Sequence, residues 1–238
     1  QMCIRDRQSV ECRFESFDSW VILSPIEQSI KRKIESVGTP LKDWDIQINY
    51  GIKTGFNDAF IISTEKRNEI LDNCSSEEER TKTAELIRPI LRGRDIKRYG
   101  YDWANLWIIN THNGIKGVKP RIDINEYPAV KAHLDQYWDK ISKRADKGDT
   151  PYNLRNCAYL DDFFKPKVMW KIIGCNINFS FNDGTMICNN AVNIMTGQRN
   201  QLLQFLGLMN CKLFDWYLKL TTEAEVQGGG IPVSYTHL

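Results

Sequence analysis

Gly51-Ile52-Lys53-Thr54-Gly55-Phe56-Asn57-Asp58-Ala59-Phe60-Ile61-Ile62 sets two glycines, a threonine and an asparagine directly before an apolar run. Residues of the first kind suit tight turns and close backbone approach, and a short apolar run after turn signals suits a buried strand. The stretch reads as a loop held on a strand. Upstream, residues 44–50 (Trp-Asp-Ile-Gln-Ile-Asn-Tyr) alternate at period two and predict a strand running straight into Gly51. Before that, Ile26, Ile30 and Ile34 share one face of a helix that Ser24 caps, Pro25 opens and Gly38-Thr39-Pro40 ends.

Downstream, a helix is expected from Ser63-Thr64 to Leu71, and a second from the Ser75-Ser76-Glu77-Glu78-Glu79 cap to Leu86. Residues 103–109 predict a strand, and Tyr127-Pro128 opens a helix carrying Val130, Leu134, Tyr137, Trp138 and Ile141. Residues 168–173 predict another strand. Residues 176–181 alternate, Asn182-Asp183-Gly184 signals a hairpin turn, and residues 186–195 are expected to return as its second strand. Residues 202–209 begin an apolar helix that Phe214, Trp216, Tyr217 and Leu218 continue. With no internal repeat, this interleaving predicts an α/β (α+β mixed) fold: one domain with a mixed, largely antiparallel sheet and flanking helices.

The two ends are set apart from this reading. Met2-Cys3-Ile4-Arg5-Asp6-Arg7 can be encoded by ATG TGT ATA AGA GAC AG, and Val233-Ser234-Tyr235-Thr236-His237 by the reverse complement of the same bases. Such an inverted repeat resembles a transposase end sequence used in sequencing libraries. Residues 1–7 and 233–238 are therefore expected to be non-native scars, and the chain to be an internal piece of a longer protein.

Hydrophobic residues at 42% and aromatics at 11% suffice for a core in a chain of 238 residues. No apolar run approaches the length of a membrane span and no signal peptide is evident, so a cytoplasmic protein without a membrane partner is expected. Cys12, Cys74, Cys157, Cys175, Cys188 and Cys211 are scattered without a C-x-x-C pair, and outside the ends only His112 and His133 are histidines. Reduced thiols and no metal site follow. The net charge of +2 falls to +1 once Arg5, Asp6 and Arg7 (+1 together) are removed, so polyanions can be held only by local patches.

Catalytic signatures are missing from the sequence. It holds no Pro-Pro step, hence no Asp/Asn-Pro-Pro-Tyr/Trp loop of amino-methyltransferases, and no G-x-G-x-x-G, P-loop or G-x-S-x-G. Glu225-Val226-Gln227 echoes half of a nuclease motif without an upstream acid. Asp161-Asp162 suits a solvated loop, and His133 suits a structural role on its helix. No catalytic, metal or cofactor-binding residue is assigned. What recurs is basic residues beside glycine, asparagine or aromatics: Lys53 with Thr54, Gly55 and Asn57; Arg92 and Arg94 around Gly93; Lys116 and Lys119; Lys143 and Arg144; Lys165, Lys167 and Lys171. Side chains of these types fit base edges and phosphates. Taken alone, the patches leave three classes open: a DNA reader, an RNA-binding or protein-interaction domain, and a small enzyme with an unrecognised site.

Order and spacing add a resemblance. Gly51-Ile52-x-Thr54-Gly55-x-Asn57-x-Ala59-Phe60, then Ile90-Leu91-Arg92-Gly93-Arg94-Asp95-Ile96-Lys97-Arg98-Tyr99, Tyr127-Pro128 before His133-Leu134, Arg144 with Asp146 and Gly148, Tyr152-x-Leu154-Arg155, Phe164-Lys165-x-Lys167-Val168 and Leu206-Gly207-Leu208-Met209-Asn210-Cys211-Lys212-Leu213 follow one another. This series resembles the TaqI-like C-terminal specificity domain of adenine-specific DNA methyltransferases, also found in fused restriction-modification enzymes of the Eco57I type. Met209 and Cys211 stand where the family commonly has Leu and Ser. The resemblance implies a module that reads a short site in double-stranded DNA. A separate domain, expected upstream in the same chain, would bind S-adenosylmethionine and methylate a flipped adenine at N6. It implies residues 8–44 as a linker and helix leading in from that domain and residues 45–232 as the target-recognition domain. DNA contacts would come from Lys53, Thr54, Gly55, Asn57, Arg92, Arg94, Lys119, Arg144, Lys165 and Lys167. The fragment by itself is expected to hold no cofactor and transfer no methyl group.

Overall fold

In the computed structural model, residues 23–174, 177–221 and 231–232 are described. The expected scars, Cys12, Cys175 and Glu225-Val226-Gln227 lie outside them. In chain order the elements are α1 (Pro25–Val37), β1 (Ile46–Tyr50), α2 (Asn57–Phe60), β2 (Ile61–Ser63), α3 (Thr64–Asp72), α4 (Glu77–Leu86), β3 (Ile87–Leu91), β4 (Leu106–Ile109), α5 (Pro128–Asp135) and α6 (Trp138–Ile141). The second half supplies β5 (Lys167–Lys171), β6 (Ile173–Gly174), β7 (Phe179–Asn182), β8 (Ile187–Cys188), β9 (Val192–Gly197), α7 (Arg199–Met209), α8 (Lys212–Thr221) and β10 (Ile231–Pro232). The fold is mixed α/β, as expected. Its strands divide mainly between two four-stranded sheets, β1-β9-β5-β7 and β2-β4-β3-β8, with β6 and β10 forming a small pair. All neighbours are antiparallel except β3 and β8.

The central strand of the first sheet explains the layering. Val168, Met169 and Trp170 of β5 are all fully buried, which requires cover on both faces. Val168 and Trp170 join Phe179, Met195 and Leu202, Phe205, Leu206 and Met209 of α7 in one core. Met169, pointing the other way, joins Ile194 and the second sheet's Ile87, Ile90, Leu91, Ile108 and Ile109. That second core extends to Ile70 of α3 and to Val130 and Leu134 of α5.

Caps behave as the sequence predicts. Ser24 and Glu27 form a reciprocal capping box, Ser63 accepts from Lys66 N and Ser76 from Glu79 N. Ile26, Ile30 and Ile34 do lie on α1, yet α1 buries none of its residues, and Ile26 remains 73% exposed.

Four local expectations are corrected. The apolar run after the glycine loop begins as one helical turn, with Ala59 and Phe60 fully buried in α2, before extending as β2. A short hydrogen bond between Thr54 Oγ1 and Asn57 Oδ1 (2.6 Å) draws the loop into that turn. The Asn182–Gly184 turn forms, with Gly184 at φ 103° and Asn182 Oδ1 accepting from the amides of Gly184 and Met186. The chain does not come back as a hairpin, however: β8 crosses to β3 in the other sheet, while the outer edge of β7 is met by Tyr99, whose amide donates to Phe179 O (2.9 Å). The helix expected after Tyr127 is interrupted at Gln136-Tyr137, and the last one at Asn210-Cys211.

The second interruption has a clear cause. The Asn210 side chain acts as a strand would, its Oδ1 accepting from Phe179 N (3.1 Å) and its Nδ2 donating to Phe179 O (2.9 Å) and Leu206 O (3.0 Å). Phe179 O thus takes both the Tyr99 amide and this one. An asparagine so engaged competes with helical propagation.

Candidate nucleic-acid interface

Gly51 positions the loop through packing. Ile52 pairs in parallel with Asn189, the Gly51 and Ile52 amides donate to Val192 O (2.8 Å) and Cys188 O (2.7 Å), and Asn190 N donates to Ile52 O (3.0 Å). A Cβ on Gly51 would overlap the carbonyl oxygens of Cys188 and Asn189. Glycine here therefore permits the close approach of two chain segments. Gly55, at φ 71°, holds a conformation that side chains disfavour and sits against Asp146.

This packing sets residues 57–61 opposite residues 189–191, with Arg92-Gly93-Arg94 and Lys171 beside them, around an open groove of about 680 Å³. Asn57, Asp58, Arg92, Arg94, Lys171, Asn189 and Asn190 line it. Arg92 and Arg94 flank one glycine but differ in freedom. Arg92 is clamped by Asp95, its Nε donating to Oδ2 (3.1 Å) and its Nη2 to Oδ1 (2.9 Å), while Asp95 Oδ2 also accepts the Arg92 amide. Buried Asp95 raises the Arg92 pKa by this hydrogen bonding. Arg94 is exposed, and no side chain among the described residues pairs with its guanidinium. Asn57 is also exposed, and with its oxygen held by Thr54 its amide nitrogen has no partner among the described residues. A groove with one immobilised arginine, one free arginine, a lysine and three asparagines can offer donors to phosphates and base edges.

The other expected contact residues divide by burial. Thr54 is only 2% exposed and serves inside the loop. Lys53 forms an ion pair with Asp146 at 2.8 Å, Arg155 takes the other Asp146 oxygen at 3.2 Å, and hydrogen bonding from Lys53 holds the Asp146 carboxyl below its ordinary pKa. Lys165 is exposed and bridges to Asp162 at 2.8 Å. Lys119 is exposed in a separate basic turn.

Arg144 and Lys167 are corrections. Arg144 is buried, its guanidinium donating to the carbonyls of Thr54, Asp146, Pro151 and Asn153 and stacked 4.4 Å over Phe60; burial pulls its pKa down to about 10. Lys167 is fully buried, donating to Phe163 O (2.7 Å) and Asn182 Oδ1 (3.1 Å), with its pKa lowered to about 8 by desolvation. Neither side chain is available to DNA at the surface.

The groove also holds Asp58, Asn189 and Asn190, which the sequence does not single out. Both asparagines fall where residues 186–195 read as one strand. The consecutive Asn-Asn was the available sign of a break between Ile187-Cys188 and Val192. In the sequence Lys171 belongs to the basic patch with Lys165 and Lys167. Among the described residues no group of acids, histidines and cysteines could hold a metal ion, and no helix is long and apolar enough to cross a membrane.

No curated protein matches this chain. Among solved structures, the chain is similar to the type IIL restriction-modification enzyme MmeI, solved in complex with DNA, with a TM-score of 0.55 at 14% identity. The match covers 83% of this chain and 24% of that one, so the likeness concerns the fold, and the chain spans about a quarter of the larger protein. The model of the TaqI-like C-terminal specificity domain matches residues 88–229, more than half of the sequence, and the chain belongs to that family.

Proposed function

We propose that this chain is the sequence-reading module of an adenine-specific (N6) DNA methyltransferase from a restriction-modification system, and that the groove between residues 57–61 and 189–191 meets double-stranded DNA. The observation that carries the reading is the convergence of Arg94, Lys171, Asn57, Asn189 and Asn190 from separate chain segments on one open groove. Arg94, exposed and unpaired among the described residues, suits bidentate contact to guanine; Asn57 suits adenine; clamped Arg92 and Lys171 suit phosphates. Residues 45–232 form the reading module and residues 8–44 lead in from the rest of a cytoplasmic parent protein. S-adenosylmethionine and the methyl transfer belong to another domain of that parent, which acts on an adenine turned out of the duplex. This chain supplies register and sequence choice.

Selection from a random duplex library tests the reading. The purified chain should enrich one short sequence and bind it more weakly as salt rises, while still preferring it over random duplex. Equal binding of enriched duplex, random duplex and RNA, or no binding, would overturn it.

A further inference from the structure

The basic turn at residues 114–121 lies apart from the groove and carries an apolar tip. Ile115 O accepts from Val118 N (3.0 Å) and Lys119 N (2.9 Å), and Ile115 N donates to Lys119 O (2.8 Å). Gly117 at φ 76° takes the third position of this tight turn, where a left-handed residue is required. Gly114, at φ 73°, turns the chain where a Cβ would overlap Lys119 O.

The base of the turn is tied down. Gly114 N donates to His112 Nδ1 (3.1 Å), Ile122 N to His112 O (3.1 Å), and Asn153 Nδ2 to Ile122 O (2.9 Å). Arg121 reaches Asp149 at 3.4 Å. What this frame holds outward is Val118, 77% exposed, with Lys116 and Lys119 on either side. An open cleft of about 860 Å³ lies against it, lined by Val118 itself, the same lysines, Arg121, Asn113 and Asn156.

A single exposed valine needs no explanation by itself. A valine held exposed in a hydrogen-bonded turn, between two lysines and against a cleft of mixed basic and apolar lining, has the form of a wedge. The minor groove of B-DNA is about 6 Å wide with a phosphate backbone along each side. An apolar tip entering it can unstack a base step, while flanking cations hold the two backbones. We infer that residues 114–121 form a minor-groove wedge, with Val118 pressing on the base stack and Lys116 and Lys119 on the phosphates. The inference rests on the DNA-reading function proposed above and adds deformation of the duplex to it.

The experiment uses the full chain and the duplex it enriches from a random library, with 2-aminopurine placed at each position in turn. Wild type should raise 2-aminopurine fluorescence at one step. Val118→Ser should abolish that rise and weaken binding about tenfold, with an unchanged unfolding midpoint, since the side chain is exposed. Lys119→Gln should lower the slope of log affinity against log salt by about one. If a sequence is enriched but no position brightens, or if Val118→Ser matches wild type, the wedge is wrong and the reading function stands. If no sequence is enriched, both fall together.

Discussion

The guanidinium of Arg144 donates to the carbonyl of Thr54, ninety positions earlier in the chain, and to three further carbonyls at residues 146, 151 and 153. One planar cation thereby fixes the glycine loop to the segment that pairs with it. Arg144→Lys is expected to destabilise the protein by about 2–4 kcal/mol, because an ammonium on a flexible stem cannot serve four carbonyls in one plane and the groups left over are buried. Urea unfolding measures this directly. A variant that kept its unfolding midpoint but lost salt-dependent DNA affinity would return Arg144 to the interface.

Arg94 and Lys171 of the groove should behave differently. Arg94→Ala is expected to relax preference at one base pair, costing about 1–3 kcal/mol against the enriched sequence, whereas Lys171→Ala should weaken all sequences nearly uniformly and reduce the salt slope by about one. Competition binding with single-position variants of the enriched duplex separates the two effects. A uniform loss for Arg94→Ala would make it a phosphate contact. Loss of preference with Asn57→Ala would add Asn57 to the readers.

Asn210 stands in for a strand beside Phe179, and its own carbonyl accepts from Arg98 Nη2 (2.6 Å). Asn210→Leu would remove both partners the side chain gives Phe179, leave that buried amide without this acceptor, and cost about 2–4 kcal/mol. Thermal unfolding of the variant should show the loss, and hydrogen exchange should show it concentrated at Phe179. An exchange rate at Phe179 equal to wild type would refute this account of the helix break.

The legible parts of this fold were those with a local cause. Ser63 and Ser76 cap the helices they precede because the hydroxyl-to-amide bond is made within three residues. Val168-Met169-Trp170 was legible as strand from its own apolar run, while its cover on both faces comes from α7 and the second sheet, which lie elsewhere in the sequence. Partner choice was not local. Asn182 closes its turn with its own side chain, and nothing in the sequence says that the strand beyond it joins β3 in preference to β7. In the groove, the exposed polar side chains of Asn57 and Arg94 were readable beside their glycines. The burial of Arg144 and Lys167 was not, because it depends on carbonyls from distant segments such as Thr54 for the one and on Asn182 for the other.

Lys167 makes a prediction about pH. Its folded pKa, about 8, lies below the 10.5 of an ordinary lysine, so the unfolded chain holds the proton more tightly. Below pH 8 both states are protonated and the folded state bears the full cost of burying the charge. Between about pH 8 and 10.5 the folded state releases its proton first, so the Lys167 contribution to stability rises with pH through that window and is level above it. The full rise is on the order of 3 kcal/mol, since the side chain is wholly buried. Cys188, pushed up from 9.0 to about 12 by burial, and Tyr152, raised from 10.0, pull the other way in the upper part of that window and beyond it, because the unfolded chain ionises them first. The measurement is therefore a difference. Urea unfolding of wild type and Lys167→Met is followed across the alkaline range, and the gap between the two should shift in favour of wild type as pH rises. A gap independent of pH would mean that Lys167 keeps its charge in the folded protein, held by Phe163 O and Asn182 Oδ1 strongly enough to offset its burial.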